Sequence, residues 1–203
     1  MPQESNLVNG SQIPNQTAPA GTDEAYDRIA AGLYGLASML VGEGEESVRL
    51  VETAIANGET SVCRNPVEAR MSSRRALCAA ALDILARRDP VSLAAPEGLK
   101  PAESCIEDDD LAAAGVSGDE LERMIAGPDR ERMRKWLASL PTALRAIFVL
   151  RAVAGFTAAE TAALLAAHGG AQAAGWTPSA ASELFRQGLC SLASQLIQAT
   201  SSR

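Results

Sequence analysis

Apolar residues recur at helical spacing in the first half of the chain. Intervals of three and four residues place one apolar stripe on a first helix, made of Tyr26, Ile29, Leu33, Leu36 and Leu40. Gly42 and Gly44 follow and end this helix. A second helix stops at Asn57-Gly58, and its apolar face consists of Val48, Val51 and Ile55. A third helix is expected from about Pro66 to Arg88, because Asp89-Pro90 disfavours its continuation.

The helical pattern resumes after residue 131. One helix is expected from Arg132 to Leu140, and Pro141 starts the next, which continues to Gly155. Thr157 and Glu160 have the T-x-x-E spacing of a capping box, in which each side chain bonds the backbone amide of the other residue. A further helix therefore begins at Thr157, and Gly169-Gly170 ends it.

The last helix is expected to begin at Thr177, a capping residue, with Pro178 in its first position. Its buried stripe consists of Ala181, Phe185, Gly188, Leu189, Leu192 and Leu196. No segment of the chain alternates apolar and polar residues for long, so the sequence predicts an all-α fold.

Composition divides the chain into four parts. Residues 1–21 are rich in Asn, Gln, Ser, Pro and Gly, which predicts a disordered tail. Residues 22–90 and 132–203 are predicted to form two small helical domains, joined by an acidic linker over residues 91–131. Within that linker, residues 103–131 carry 10 acidic and 2 basic side chains, and one short helix is expected over Asp119–Ile125. We interpret the acid run Glu107–Asp110 as solvated charge rather than a metal site.

Several classes of protein are disfavoured by the composition. A net charge of −7 argues against a nonspecific nucleic-acid coat, although residues 132–203 carry 7 basic and 2 acidic side chains. No apolar run reaches the ~20 residues of a membrane span, and the N-terminus lacks a signal pattern, so a cytoplasmic location is expected. The four cysteines form no C-x-x-C motif, and one histidine, His168, completes no zinc site. We therefore predict reduced thiols and neither a metal nor a cofactor, and nothing in the sequence supports an enzyme.

The segment LASLPTALRAIFVLRAVAGFTAAETAALLA, residues 137–166, resembles the C-terminal promoter-binding domain of bacterial sigma factors of the extracytoplasmic-function group. The matching positions are Leu140-Pro141, Arg145, Leu150-Arg151, Gly155-Phe156, Thr157 and Glu160-Thr161-Ala162. The resemblance resumes at Thr177, where Ala181, Phe185, Gly188 and Leu192 fall on the family's buried positions. It implies a helix-turn-helix whose last helix lies in the major groove of DNA. The DNA contacts that it implies in this domain are Arg145, Arg151, Ser179, Ser182, Arg186 and Gln187.

Two features of this domain depart from the family. Arg186 is the only cation of the last helix up to Leu196, and Glu183 repels phosphate unless it accepts a hydrogen bond from a cytosine amine. About ten residues, Ala167–Trp176, replace the usual short turn. This insertion either loops out and keeps the helix pair, or lengthens a helix and changes the angle. Trp176 is expected to pack in the core, and stacking on DNA is the alternative.

Leu33–Gly58 is similar to the family's upstream domain, which docks on RNA polymerase. The motif that meets the polymerase clamp aligns with residues 49–52, so Arg49 and Glu52 are the implied polymerase contacts. Ala81–Arg88 is similar to a basic helix ending that contacts promoter DNA, and the implied contacts are Arg74, Arg75, Arg87 and Arg88. The alternative for this arginine cluster, which includes Arg70, is a solvated helix face paired with Glu68 and Asp83.

Two hypotheses follow from the sequence. The first is a divergent sigma factor that directs core RNA polymerase to promoter DNA, with a separate anti-sigma protein as the regulator that the resemblance implies. The second is an interaction module that kept the sigma fold, lost DNA reading and binds polymerase, a regulator or itself. Four departures support the second: the acidic total, the poorly charged last helix, the altered clamp motif, and the lack of any aromatic residue between Tyr34 and Trp136 for holding unstacked bases.

Overall fold

The computed structural model describes residues 22–57, 65–96 and 130–201, and these residues form seven α-helices and no β-strand, which confirms the all-α prediction. The helices are α1 (Thr22–Val41), α2 (Glu45–Ala56), α3 (Pro66–Arg88), α4 (Arg130–Ser139), α5 (Thr142–Phe148), α6 (Ala158–His168) and α7 (Pro178–Ser201). The predicted tail, the acid run and the short helix at Asp119–Ile125 lie outside the described residues. None of the described helices is long and apolar enough to cross a membrane.

Helices α1, α2 and α3 pack on one another and form a first block. The apolar stripe of α1 is largely as predicted, since Leu33, Leu36 and Leu40 are buried and Ile29 is half-buried, while the side chain of Tyr26 lies outside the description. Gly42 and Gly44 end the helix with φ angles of 97° and 132°, which glycine adopts without a steric penalty.

The predicted apolar face of α2 is wrong at two of its three positions. Val51 is buried, but Val48 and Ile55 are 44% and 38% exposed. The helix instead buries the stripe that contains Ser47, Leu50 and Ala54. The Ser47 hydroxyl donates to the Gly42 carbonyl, so this polar residue is buried with its hydrogen bond satisfied. Val48 and Ile55 therefore lie on the outer face of the helix.

Helix α3 has the predicted bounds. The Asn65 side chain accepts a hydrogen bond from the Glu68 amide at 3.2 Å and caps the first turn, and Asp89 ends the helix. The apolar residues Leu77, Ala81, Leu82 and Leu85 of this helix are buried, and Ile84 is half-buried. Burial also raises the pKa of the Cys78 thiol to about 12, against the opposing charges of Arg74 and Arg75. Cys78 is buried as a free thiol.

Helix α5 changes pitch before it ends. It continues into a π-helical segment, Val149–Val153, and the Ala154 amide donates to the Val149 carbonyl five residues back, at 2.9 Å. Gly155 then turns the chain with a φ of 79°. The stop at Gly155 was predicted, but the widened turn was not. Pro141 precedes the first helical residue rather than occupying it.

Both predicted caps of the following helices are confirmed. At α6, the Glu160 amide donates to the Thr157 hydroxyl at 3.2 Å, and the Thr157 amide donates to the Glu160 carboxylate at 2.9 Å. At α7, the Ala180 amide donates to the Thr177 hydroxyl at 3.1 Å, and Pro178 is the first helical residue. The buried stripe of α7 comprises Ala181, Phe185, Gly188 and Leu189, with Leu192 half-buried; the side chain of Leu196 lies outside the description.

Phe148 is fully buried at the centre of the second block, which comprises α4 to α7. Its ring lies 4.9 Å from Trp136 in an edge-on arrangement and 5.8 Å from Phe185. Residues of both blocks belong to one hydrophobic core, because α3 packs on α6 and α1 packs on α4 and on the π-helical segment. Independent folding of the two predicted domains stays a prediction, while in this structure the blocks are closely packed.

The first residues of the predicted linker are packed against the second block. Residues 91–96 form a turn in which Leu93 is fully buried in the common core. The Ala95 amide donates to the Gln172 carbonyl at 3.2 Å, so this turn is bonded to the second block. This apolar leucine between prolines was interpreted as linker because its burial depends on residues such as Trp176, 83 positions away in the chain. Residues 130 and 131, also assigned to the linker, belong to α4.

Candidate DNA and polymerase contacts

The predicted DNA contacts on α7 carry little net charge. Ser179 is exposed, and Ser182, Arg186 and Gln187 are half-buried. The Arg186 guanidinium lies 3.4 Å from the Glu183 carboxylate one turn earlier, and Arg186 Nε is buried without a hydrogen-bond partner among the described residues. Arg186 therefore lies on the expected helix, but Glu183 compensates its charge locally.

Arg151, at the centre of the π-helical segment, stacks on the aromatic ring of α7. Its guanidinium carbon lies 5.0 Å from the centre of the Phe185 ring, within cation–π distance. This contact joins the end of α5 to α7. The predicted phosphate contact of Arg151 remains a prediction.

Arg145, on α5, lines a cavity of about 250 Å³ where the second block meets the end of α1. Burial, and then the nearby charge of Arg88, lower the pKa of Arg145. The residue thus lies at the junction between the blocks, near one of the arginines that the sequence assigned to DNA.

Arg74 and Arg75 of α3 reach across to the second block. Arg74 donates to the carbonyl oxygens of Val153 and Ala154 at 3.3 and 3.5 Å. Arg75 pairs with Glu160, and its guanidinium carbon lies 5.3 Å from the centre of the Phe156 ring. Two of the four arginines predicted to contact DNA in the first block are thereby engaged within the protein.

The other two lie at the end of α3, where Arg87 is exposed. Arg88 pairs with Glu46 and donates to the Val41 carbonyl at 3.2 Å. The alternative interpretation of this cluster named the wrong partners, because Glu68 bonds Asn65 and Asp83 faces His168 at 3.3 Å. Paired carboxylates were expected near these arginines, but the actual partners come from other helices. Arg70 is exposed.

The insertion Ala167–Trp176 loops out and lengthens neither helix. Helix α6 ends at His168, and a 3₁₀ turn follows at Ala171–Ala173 after Gly170, whose φ is 82°. Trp176 is buried and its Nε1 donates to the Leu93 carbonyl at 2.9 Å, which confirms the core interpretation over exposure for DNA stacking. The insertion is therefore the part of the second block that docks on the turn after α3.

The two predicted polymerase contacts, Arg49 and Glu52, both lie on the exposed face of α2. Arg49 pairs with Glu45 one turn earlier at 3.0 Å, and both side chains are largely in solvent. A pair of this kind contributes about 1 kcal/mol or less to stability, so Arg49 and Glu52 remain accessible to a partner. Val48 and Ile55 are exposed on the same helix.

The sequence missed the residues that join the blocks. Glu43, in the turn after α1, pairs with Arg134 of α4 at 2.6 Å. Glu160 was expected only as a cap, but it also pairs with Arg75 of α3. Hydrogen bonds from the Thr157 amide and hydroxyl, together with Arg75 and against a small effect of burial, lower the pKa of Glu160. No local pattern predicts such pairs, because their members are 85 and more positions apart.

Among residues 22–57, 65–96 and 130–201, no three His, Cys, Asp or Glu side chains come together as metal ligands do. No protein-family model, curated protein or solved structure matches this chain.

Proposed function

We propose that the chain is a divergent sigma factor of the extracytoplasmic-function type, folded in a closed form in which the two blocks are packed on each other. The observation that carries the proposal is the agreement of helix starts and stops with the resembling segment. Helix α5 follows Leu140-Pro141 and turns at Gly155, α6 begins with the Thr157–Glu160 capping box, and α7 begins at Thr177.

In this proposal the blocks separate before the protein reads a promoter. Arg74 and Arg75 bond acceptors of the second block, so neither guanidinium is free for phosphate while the blocks are packed. Core RNA polymerase, which binds the exposed face of α2 around Arg49 and Glu52, supplies the binding energy for the separation. A cytoplasmic location belongs to the same proposal, because promoter DNA and core polymerase are there.

Helix α7 then contributes weak, tethered DNA contact. Its one cation before Leu196 is compensated by Glu183, so few phosphates are neutralised and affinity depends only weakly on salt. Tethering to polymerase raises the local concentration of the helix at the promoter, which offsets weak intrinsic affinity.

The second candidate function is an interaction module that binds polymerase or a regulator and does not read DNA. The Glu183–Arg186 pair and the internal bonds of Arg74 and Arg75 favour it. Under this candidate the closed form is the working form, and the exposed face of α2 is the docking surface.

Run-off transcription with purified core polymerase, combined with a binding assay on the same polymerase, tests the proposal. A sigma factor gives a promoter-dependent transcript and binds the polymerase. Polymerase binding without any promoter-dependent transcript would establish the second candidate, and loss of both would reject both.

Glu183→Gln tests whether α7 contacts DNA. Removing the carboxylate frees Arg186 and relieves repulsion, so we expect a severalfold higher promoter affinity and a salt slope steeper by about 1. Arg186→Gln should weaken binding in the opposite direction. Arg132→Gln, on the exposed face of α4 and outside the predicted contacts, is the matched control. Equal affinity of all three variants, measured by fluorescence anisotropy across a salt series, would show that α7 does not touch DNA.

A further inference from the structure

The cavity that Arg145 lines has walls from both blocks. Met39 and Glu43 belong to α1 and the turn after it, and Arg134, Lys135 and Leu137 belong to α4. Its volume of about 250 Å³ lies just below the ~300–1,000 Å³ of pockets for drug-sized ligands. The space therefore suits a small metabolite.

The charges that line this cavity are not balanced. Arg134 pairs with Glu43 at 2.6 Å, and Lys135 lies 3.7 Å from Glu131. Each of these cations thus has a carboxylate of its own. No ion pair within the described parts of the chain gives Arg145 such a partner, and another cation, Arg88, acts on it electrostatically. The lining therefore has one uncompensated positive charge.

The Arg145 guanidinium is also short of hydrogen-bond acceptors. The side chain is half-buried, and its Nε is buried without a partner among the described residues. A charged donor that gains no acceptor destabilises a protein as far as it is removed from water, so an anion in the cavity would supply an acceptor to the Arg145 guanidinium at its wall. Burial and Arg88 act in the same direction on its pKa, which they lower.

We propose that this cavity binds a small organic carboxylate, with its carboxylate on Arg145 and its apolar body against Met39 and Leu137. One uncompensated charge matches a monoanion, and the planar guanidinium fork matches the two oxygens of a carboxylate. The carboxylates of Glu43 and Glu131 in the lining disfavour a dianion such as phosphate.

Binding there would connect a small molecule to the closed form. The ligand touches α1 of the first block and α4 and α5 of the second, so it stabilises the arrangement in which these blocks are packed. This inference goes beyond the proposed function and does not depend on DNA reading by the protein.

The test is thermal unfolding and isothermal titration of the full chain with sodium hexanoate as the probe. Sodium chloride at equal ionic strength and inorganic phosphate are the comparison anions. We expect hexanoate to raise the Tm of the wild type saturably. Its affinity should fall by about tenfold or more in Arg145→Gln, because that variant loses a charge-assisted pair. Arg186→Gln, a second half-buried arginine outside the cavity, is the matched control and should respond as the wild type does.

A second variant covers the case in which Arg145→Gln fails to fold. Met39→Trp keeps Arg145 but fills the cavity, and it should lose the response to hexanoate while circular dichroism shows an intact helical fold. The proposal is overturned if hexanoate has no effect beyond that of chloride, if phosphate stabilises as much as hexanoate does, or if folded Arg145→Gln or Met39→Trp responds like the wild type.

Discussion

Trp136 and Trp176 are buried to the same extent, at 6% exposure, but their indole N–H groups have different acceptors. Trp176 donates to the main-chain carbonyl of Leu93, a fully buried residue of the turn that follows α3 of the first block. Trp136 donates to the half-buried hydroxyl of Ser191 on α7, 3.1 Å away. Only the first bond joins the two blocks, and only its acceptor has no access to water.

Replacing each tryptophan by phenylalanine should therefore have unequal effects. Trp176→Phe leaves the Leu93 carbonyl buried without a donor, which should lower the free energy of unfolding by about 1–3 kcal/mol. Trp136→Phe removes the same volume but leaves a hydroxyl that water can reach, so the loss should be smaller. Urea unfolding followed by circular dichroism measures both. Equal losses would mean that the hydrogen bond to Leu93 contributes nothing specific.

At the scale of single residues, burial was more predictable than partners. Trp176 was expected in the core because an indole is largely apolar, and it is there. Its acceptor was not foreseen, since Leu93 was assigned to a linker. Arg74 and Arg75 were predicted as members of one basic cluster, but their bonds to Val153 and Glu160 connect positions 79 and 85 residues apart. Spacing rules within one helix relate residues three or four positions apart, so they do not predict these bonds.

Helix α6 depends on a cap whose strength varies with pH. The Thr157 amide and hydroxyl bond the Glu160 carboxylate and lower its pKa below the ordinary value of 4.5. A carboxyl group with a lowered folded-state pKa stabilises the fold above its unfolded pKa, and this contribution is lost as pH falls through the folded pKa.

Glu160→Gln should consequently be less stable than the wild type near neutral pH, and the difference should shrink as the pH falls below 4.5. Thr157→Ala removes the hydroxyl cap and should lower the free energy of unfolding by about 1 kcal/mol. Denaturant unfolding at several pH values measures both variants. A difference between Glu160→Gln and wild type that stays constant with pH would contradict the account of the cap.

Two glycines inside helices should respond oppositely to alanine. A Cβ at Gly35 of α1 meets nothing within 4 Å, so Gly35→Ala should stabilise by about 1 kcal/mol through helix propensity alone. A Cβ at Gly188 of α7 lies 3.0 Å from Cδ2 of Phe148, a ring held between Trp136 and Phe185. Gly188→Ala should therefore destabilise by about 1 kcal/mol, because overpacking exceeds the propensity gain. Thermal unfolding checks the pair, and a higher Tm for both would show that the ring yields.

Among the helices, those with explicit end signals were predicted best. Thr157 and Thr177 cap their helices as side-chain chemistry requires, and Asp89-Pro90 and Gly155 end theirs, whereas the Asn65 cap of α3 was not predicted. The face of α2 was predicted poorly, because Val48, Val51 and Ile55 are apolar at helical spacing yet Ser47 and Ala54 fit the close approach of neighbouring helices. The π-helical segment carries no recognisable sequence signal, so its widened turn was not predicted.

For the molecule as a whole, the closed packing of the blocks is the main feature that the sequence did not predict. The interface uses a turn assigned to a linker and an insertion whose conformation was left open. A Cβ at Gly175 of that insertion lies 3.4 Å from Cβ of Ala95, close to the ~3.5–4.5 Å separation in a disulfide. Gly175 has no positive φ, so a cysteine fits its backbone.

The double substitution Ala95→Cys and Gly175→Cys, in a background without the native cysteines, should lock the blocks together under oxidising conditions. If the closed form must open, the locked protein gives no promoter-dependent transcript with core polymerase, and a reductant restores it. Each single cysteine variant serves as the control. Full transcription by the locked protein would show that the packed form is itself competent and that the blocks need not separate.

The position of Trp176 gives the native polypeptide an optical reporter. The chain contains two tryptophans, and Trp136→Phe leaves one indole, whose N–H is bonded across the junction to Leu93. Separation of the blocks would bring that ring into water, where its emission shifts to longer wavelength and becomes accessible to quenching by acrylamide. Fluorescence of an unlabelled sample can thus follow the separation of the blocks in real time while a small organic carboxylate is added.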